Sequence, residues 1–581
     1  MTTRGSKLTA TQPDPANGSD REVMPDFEDI AHAVALEHGV CVRPMVLEQY
    51  DTETGRTELV PVPCGHTLES VCPPCARKAR ALRMTQCREG WHLTREPVIT
   101  TRPATFDQKG LLQYRADLQT EHDRLAGLVE AGETSDPHTG LDAERMHTDI
   151  TELVNEIHWA DRELKAYGMR GNAPRPDQAS RTAARHRSTR RRHDAPDLPR
   201  LPVSRRTVGR EYAGKFIPSM MMTFTLPSYG AVHPEDGTPL DPDTYDYRRA
   251  ARDAIHWAAL LDRLIQNLRR CVGWSIQYFG TVEPQRRGAP HAHLCARGTI
   301  PHRTVRQAAA ATYHHVWWPP HDTPVYSEDR KPLWDRASRT FVDPDTGEPL
   351  TGWDDAVDAL TEPAHTVRFG EQVHSRGVLG GSEEARRHIK YVCKYLLKSV
   401  SEVLDARTAR QWDHYDRLHA ELVKTPCSER CPVWLLYGIV PKQVNGKTVP
   451  GRCRARAHQA ATLGLPGRRV LVSRRWSGKR LGDHKADRIA FVRRALAHIG
   501  IVKTDQEAGR YQWSTLAPGT PTPPRAKLLM HGVAQRIAWR VEYERALLAA
   551  QEQPPPGGER GGGDISSPPP TSVTSQLSLR S

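Results

Sequence analysis

Two imidazoles and a carboxylate are spaced along this chain as donors on one sheet face would be: Glu283, then His291 and His293. Ser275 to Val282 is rich in aromatic and β-branched residues, Pro284 to Pro290 has the Pro and Gly of a connection, and His291 to Ala296 reads as a return strand. Side chains two apart on a strand share a face, so His291 and His293 project together while Ala292 and Leu294 face the other way. A hairpin closed near Arg287 sets Glu283 across from His291. Such a mixed N/O set suits a divalent ion with positions left for water or a phosphate oxygen. A lone His-x-His is more often a packing or surface feature, so the reading needs a second constellation.

That constellation lies a hundred residues on, in Tyr391-Val392-Cys393-Lys394-Tyr395-Leu396-Leu397-Lys398. Ile389, Val392, Cys393, Leu396, Leu397 and Val400 follow the rhythm of an amphipathic helix. Ser382 is the expected N-cap, with Glu383 and Glu384 in the first turn, where the dipole favours acids. The pattern predicts one helix running on through Val400. On it Tyr391 and Tyr395 are four apart and stacked on one flank, as are Lys394 and Lys398.

The order Thr223-Phe224-Thr225-Leu226, then Glu283…His291-Ala292-His293, then Tyr391-x-x-Lys394-Tyr395-x-x-Lys398 resembles the three motifs of HUH endonucleases. More narrowly, it resembles the replication initiators of rolling-circle plasmids and integrative elements of actinobacteria (the RepSA type). The resemblance implies an α+β fold, with an HUH-type central antiparallel sheet, flanking helices, and cysteine-rich and helical accessory regions. It implies Mg²⁺ or Mn²⁺ on Glu283, His291 and His293. A tyrosine then cuts one strand at a replication origin, keeping the 5′-phosphate and freeing a 3′-OH primer. In that family the later tyrosine, here Tyr395, is the usual first nucleophile and Tyr391 the alternate, with Lys394 and Lys398 at the phosphate. DNA is the implied partner, with host helicase and polymerase as implied protein partners. A relaxase usually carries its tyrosine ahead of the histidine motif, which favours an initiator. A tyrosine transposase, or a non-enzymatic zinc-dependent DNA-binding regulator, stays open.

Composition agrees with an anionic partner. The 581 residues carry a net charge of +13, only 38% are hydrophobic, and the mean hydropathy is −0.63. No apolar run approaches the roughly 20 residues of a spanning helix, which argues against a membrane. Met1 to Glu28 has no apolar core of a signal peptide. Eleven cysteines without an export signal point to metal ligands or free thiols, and to the cytoplasm.

The cysteines fall in two groups. Cys64, Cys72, Cys75 and Cys87 are the expected ligands of a structural Zn²⁺, with Cys41, His66 and His92 as spare candidates; buried reduced thiols are the alternative. Cys427, Cys431, Cys453 and His458 form a possible second zinc set, though Val433 to Val440 offers equal cover for free thiols.

Texture divides the chain into a mostly disordered tail (1–40), a cysteine-rich region (41–105), a helical hairpin (106–168) and an Arg-rich linker (169–206). A nuclease domain (207–404), a basic DNA-binding region (405–552) and a disordered tail (553–581) follow. Within the nuclease domain the expected elements are a strand at Met220–Leu226, helices at Asp246–Val272 and His302–Trp318, the hairpin, a strand at Thr366–Val378 and the tyrosine helix. Beyond it, Trp476 among arginines is read equally as a base-stacking platform or as a lid on a small core.

Overall fold

The computed structural model describes residues 26–91, 93, 95–98, 104–169, 198–208, 218–465, 469–501, 510–517 and 519–552. Residues 1–25 and 553–581, where tails were expected, and 170–197 of the Arg-rich linker lie outside the described residues.

In chain order the main elements are α1 (Phe27–Glu37), β1 (Met45–Asp51), β2 (Thr57–Val62), α2 (Pro73–Trp91), α3 (Phe106–Glu130) and α4 (Ala143–Ala166). Next come β3 (Pro218–Thr225), α5 (Tyr247–Val272), β4 (Tyr278–Pro284), β5 (Pro290–Arg297), α6 (His302–Ala310) and β6 (Tyr313–Val316). They are followed by β7 (His365–Arg368), β8 (Val373–Leu379), α7 (Glu383–Val392), α8 (Ala409–Lys424), β9 (Val470–Val472), β10 (Tyr511–Thr515) and α9 (Arg525–Glu552).

These elements belong to two compact units, Met1–Cys64 with Ala486–Ser581, and Gly65–Lys485. The boundary expected at 404/405 therefore does not separate compact units. The first unit joins the two ends of the chain. Its antiparallel sheet has the order β10-β1-β2, and the start of α9 buries Leu529 and Val533. Arg525 holds this end in place by donating to Val42 O at 3.0 Å and pairing with Glu28 at 3.1 Å.

The second unit is built on a five-stranded antiparallel sheet of order β8-β3-β5-β4-β9. Met220, Met222 and Phe224 of β3 alternate with Met221, Thr223 and Thr225, and Ala292, Leu294 and Ala296 of β5 alternate with His291, His293 and Cys295. The first set, together with Val282, packs against α5 in the main core. α5 is capped by Asp246, whose side chain accepts from Arg249 N, and ends at Gly273 in the left-handed region (φ 72°). Its stripe Ala250, Ala254, Trp257, Leu261, Leu264 and Leu268 is buried as its period demands. Fully burying one such leucine contributes about 1.5–3 kcal/mol.

The opposite face is divided. At one end Met221, Phe279 and Cys295 pack with Trp91 of α2 and Ile389 and Val392 of α7. At the other end the same face carries threonine, glutamate and histidine. One sheet thus offers a dry floor on one side and a half-polar floor on the other.

Two segments differ from expectation, and one is the strand expected at Thr366–Val378, which is split into β7, paired with β6, and β8, paired with β3. The helix predicted over His302–Trp318 stops at Ala310, and Tyr313–Val316 pairs as a strand with His365–Arg368. Tyr313, Val316, Trp317 and Trp318 favour extended chain once a partner strand is present. The helical hairpin is as expected: Thr105 and Gln108 form a capping box at the start of α3, and Arg115 pairs with Asp161 across the two helices at 2.8 Å.

Candidate active site

The hairpin β4–β5 carries the metal-type donors in the register expected from the sequence. Glu283 is paired with His291, and Thr281 with His293; on the other side of β5, Thr223 of β3 lies opposite His293 and Thr225 opposite His291. The turn is closed by Gln285 N donating to Ala289 O and Gly288 N to Gln285 O, both at 2.8 Å. Gly288 has φ 79°, and a Cβ there would meet Leu418 Cδ2 at 2.6 Å, so the turn needs glycine. Arg287 donates to Leu226 O (2.7 Å) and Pro227 O (2.6 Å), while Tyr415 OH donates to Arg286 O (2.9 Å). The loop between the donors is therefore held from three sides.

One donor atom from each of Glu283, His291 and His293 lies within 4.8 Å of the others. His291 Nε2 and His293 Nε2 face each other at 3.0 Å. Burial pushes the Glu283 carboxyl up to about 7, offset in part by Arg469 and the hydrogen bond from Thr281 Oγ1. Burial also lowers His291 to about 4 and His293 to about 3, the latter with a contribution from His291. At neutral pH both imidazoles are neutral, as metal ligands must be. Thr223 Oγ1 sits 2.9 Å from His293 Nδ1. With Nδ1–H donating to that hydroxyl, Nε2 is left as the lone-pair nitrogen aimed into the site. A carboxylate and two Nε2 atoms on one floor fit a divalent cation and leave positions open on the cleft side.

The tyrosine segment reaches this floor, but in a different form from that expected. Ser382 caps α7 as predicted, its side chain accepting from Ala385 N. The helix then ends at Val392, and Lys394–Leu397 forms a 3-10 turn. Cys393 at the junction is buried beside Cys87 and Cys295, which anchors the chain where the helix tightens. Tyr391 and Tyr395 consequently do not share one continuous α-helix. Tyr391 OH lies 3.3 Å from His293 Nε2, and the two rings meet edge to face with centroids 5.0 Å apart. The Tyr391 side chain is 45% exposed, open to a ligand from the cleft. The backbone of Tyr395 belongs to the 3-10 turn; its side chain lies outside the described residues. Lys394 and Lys398 are exposed on the same segment.

The cysteine expectations come out differently in the two groups. Cys75 and Cys87 lie on one helix twelve residues apart, so about 18 Å separates them and no single ion can take both. Cys87 leaves the expected zinc set. It is buried with Cys295 and Cys393, and burial raises its thiol well above the usual range. Cys72 and Cys75 stay one turn apart in the second unit, both buried. Cys64 belongs to the first unit, where its N–H donates to Cys41 Sγ at 3.3 Å, so the spare candidate Cys41 takes its place beside it.

The second group converges as the spacing predicts. Cys427 Sγ and Cys453 Sγ are 3.9 Å apart, and Cys431 Sγ is 3.4 Å from His458 Nε2. Sulfurs bound tetrahedrally at about 2.3 Å to one zinc lie roughly 3.8 Å apart, so the donor set fits that ion. His458 Nδ1 lies 2.8 Å from Leu422 O, a donation that fixes the tautomer and presents Nε2 to the thiols. Val433 and Trp434 are buried beside it, so cover and ligands coexist.

Trp476 is 1% exposed, donates from Nε1 to Gln86 O at 3.0 Å, and lies under Arg297. It is a lid on a core, not a platform for bases. Gly90 is required beneath it, since a Cβ there would stand 2.1 Å from Trp476 Nε1.

Thr281 was not singled out by the sequence, and Arg469 was read only as one of the arginines around Trp476, not as part of this site. Thr281 was within reach, because it sits two residues before Glu283 on the same strand face. The local pattern gave Arg469 no place beside Glu283, since that place follows from the pairing of β9 with β4.

Among the described residues no helix is long and apolar enough to cross a membrane. No curated protein and no solved structure matches the chain. The family described as "Replication initiator protein, pSAM2" matches residues 26–535, a span that takes in the histidine hairpin, the tyrosine turn and both cysteine groups. With Thr223, His293 and Tyr391 in contact and the match running over nearly the whole length, the chain belongs to the RepSA family of plasmid replication initiators.

Proposed function

We propose that this initiator starts replication by cutting one DNA strand itself, in the manner of HUH endonucleases, with Tyr391 as the attacking residue. The observation that carries the proposal is the 3.3 Å approach of Tyr391 OH to His293 Nε2, on the floor that also holds His291 and Glu283. Glu283, His291 and His293 would hold Mg²⁺ or Mn²⁺, which when bound supplies Lewis-acid stabilisation of charge on a phosphate.

The chain's own groups do the rest. Tyr391 Oη forms a bond to phosphorus as the bond to the 3′ oxygen breaks. The phenolic proton is lost and the 3′ oxygen gains one, leaving a phosphotyrosine at the 5′ end and a 3′-OH primer. Phosphodiester energy is kept in the new link, so the cut is reversible. Lys394 and Lys398, exposed on the tyrosine segment, would hold the phosphate. Tyr395 is the alternate nucleophile for a second transfer. Origin DNA is the partner, with host helicase and polymerase acting on the opened strand, in the cytoplasm. Structural Zn²⁺ is assigned to Cys427, Cys431, Cys453 and His458. Cys72 and Cys75, one turn apart in the second unit, are proposed as donors to a further structural zinc.

The test is a nicking assay on a supercoiled plasmid carrying the cognate replicon, with Mn²⁺. Tyr391→Phe is expected to abolish the covalent 5′ adduct, and peptide mapping of the wild-type adduct is expected to identify Tyr391. An adduct mapped to Tyr395 would move the nucleophile by one turn. Tight binding with the plasmid left closed would favour a non-enzymatic DNA-binding regulator.

A further inference from the structure

The C-terminal part of the second unit reaches the candidate active site through one side chain. Arg469 directly precedes β9, the edge strand that pairs with β4. Its carbonyl accepts from Val282 N at 2.8 Å, which sets the residue beside the end of β4. The guanidinium then spans two segments. Nε donates to Val282 O at 3.3 Å, and Nη1 donates to Lys398 O at 2.5 Å. Val282 adjoins the metal-type ligand Glu283, and Lys398 follows the turn that begins three residues after Tyr391.

We infer that Arg469 is a positioning residue that ties the tyrosine turn to the strand carrying Glu283, so that phenol and metal floor keep a fixed separation. The inference rests on the nuclease reading above. A 3-10 turn of four residues makes few hydrogen bonds of its own, and the carbonyls at its end need an outside donor. Arginine meets that need with a rigid planar fork that serves two acceptors at once. Lysine offers a point charge on a flexible stem and cannot hold both with the same geometry. The residue lies 71 positions beyond Lys398, outside all three motifs, so it couples a separate stretch of chain to the nucleophile.

Full-length protein with Mn²⁺ and the same supercoiled plasmid provides the test. Arg469→Ala is expected to slow adduct formation at saturating DNA by about 10²-fold, the usual consequence of misplacing a reacting group by an ångström. KM for plasmid and the Mn²⁺ affinity read by electron paramagnetic resonance should stay within about twofold. Millimolar ethylguanidinium should restore part of the lost rate, which a general folding defect would not allow. Arg469→Lys, which keeps charge and bulk, should also be slow at an unchanged melting temperature, and decides the matter if the alanine variant does not fold. Wild-type rates in Arg469→Lys and Arg469→Ala would overturn the inference and leave the nuclease reading standing. A wild-type protein that binds Mn²⁺ yet forms no adduct would remove both.

Discussion

The second unit contains two clusters of metal-type donors, and they are built to opposite ends. Cys427, Cys431, Cys453 and His458 surround a point from four sides and sit over the buried Val433 and Trp434. Glu283, His291 and His293 supply three donors from one sheet face and leave the other side to a half-exposed phenol. A closed set of four soft donors holds loops together; an open set of three harder donors admits a reactant. Charge differs in the same sense. Thiolates in such a cluster would be neutralised by the zinc it could hold, whereas burial keeps the Glu283 carboxyl near 7, half protonated in the absence of a cation. The contrast suits the hairpin to admit a reactant and the cysteine cluster to hold loops together.

The sharpest way to break this contrast is to remove one donor from each cluster. His293→Ala is expected to abolish detectable Mn²⁺ binding and to lower the nicking rate by about 10³-fold, with little change in melting temperature. Cys431→Ser should do the reverse. Metal analysis should show one zinc fewer per chain and thermal unfolding a loss of several kcal/mol, while the protein that remains folded still binds Mn²⁺ at the hairpin. If Cys431→Ser lost Mn²⁺ binding while still folded, the two clusters would not be independent.

A smaller effect is expected from Thr223→Val. It keeps the shape of the β3 floor but removes the hydroxyl that accepts from His293 Nδ1. Mn²⁺ affinity, measured by calorimetry, should fall by about 10–100-fold, with Thr223→Ser restoring most of it. An unchanged affinity would show that strand pairing alone orients the imidazole.

A graded change, reversible within one protein, comes from pH. The folded carboxyl of Glu283 holds its proton up to about 7, against an ordinary value of 4.5. Between those values the metal-free folded state binds the extra proton, so its stability falls as pH rises from about 4.5 to 7. A cation must displace that proton. Mn²⁺ affinity should therefore rise about tenfold per pH unit below 7 and level off above it. The two histidines, already lowered to about 4 and 3, add no titration in that window. A flat profile from pH 5 to 8 would place Glu283 outside the ligand set.

How much of this was legible beforehand depended on the range of the interaction concerned. Strand alternation is local and has a strict period of two, so Glu283, His291 and His293 could be put on one face with no knowledge of the fold. The same holds for α5, whose cap, stripe and terminal glycine are all written within 28 residues. The convergence of Cys427, Cys431, Cys453 and His458 followed from spacing because each close pair lies on a short loop. The tyrosine helix failed at the point where its period stopped being the deciding term. Cys393 fits a helical stripe, yet its burial against Cys87 and Cys295 anchors the chain where the turn tightens. Cys87 failed for the complementary reason, because a continuous helix carries it some 18 Å from its expected partners.

By itself, then, the sequence determined which residues are donors, which strand faces they share, and where helices begin. Tertiary structure alone decided that Tyr391 reaches His293, that Cys87 lies apart from Cys75, and that Arg469 bridges Val282 and Lys398. The physical reason is distance along the backbone. Period and capping act over one or two turns, while the pairing of β9 with β4 joins residues nearly two hundred positions apart, and no local pattern encodes that meeting.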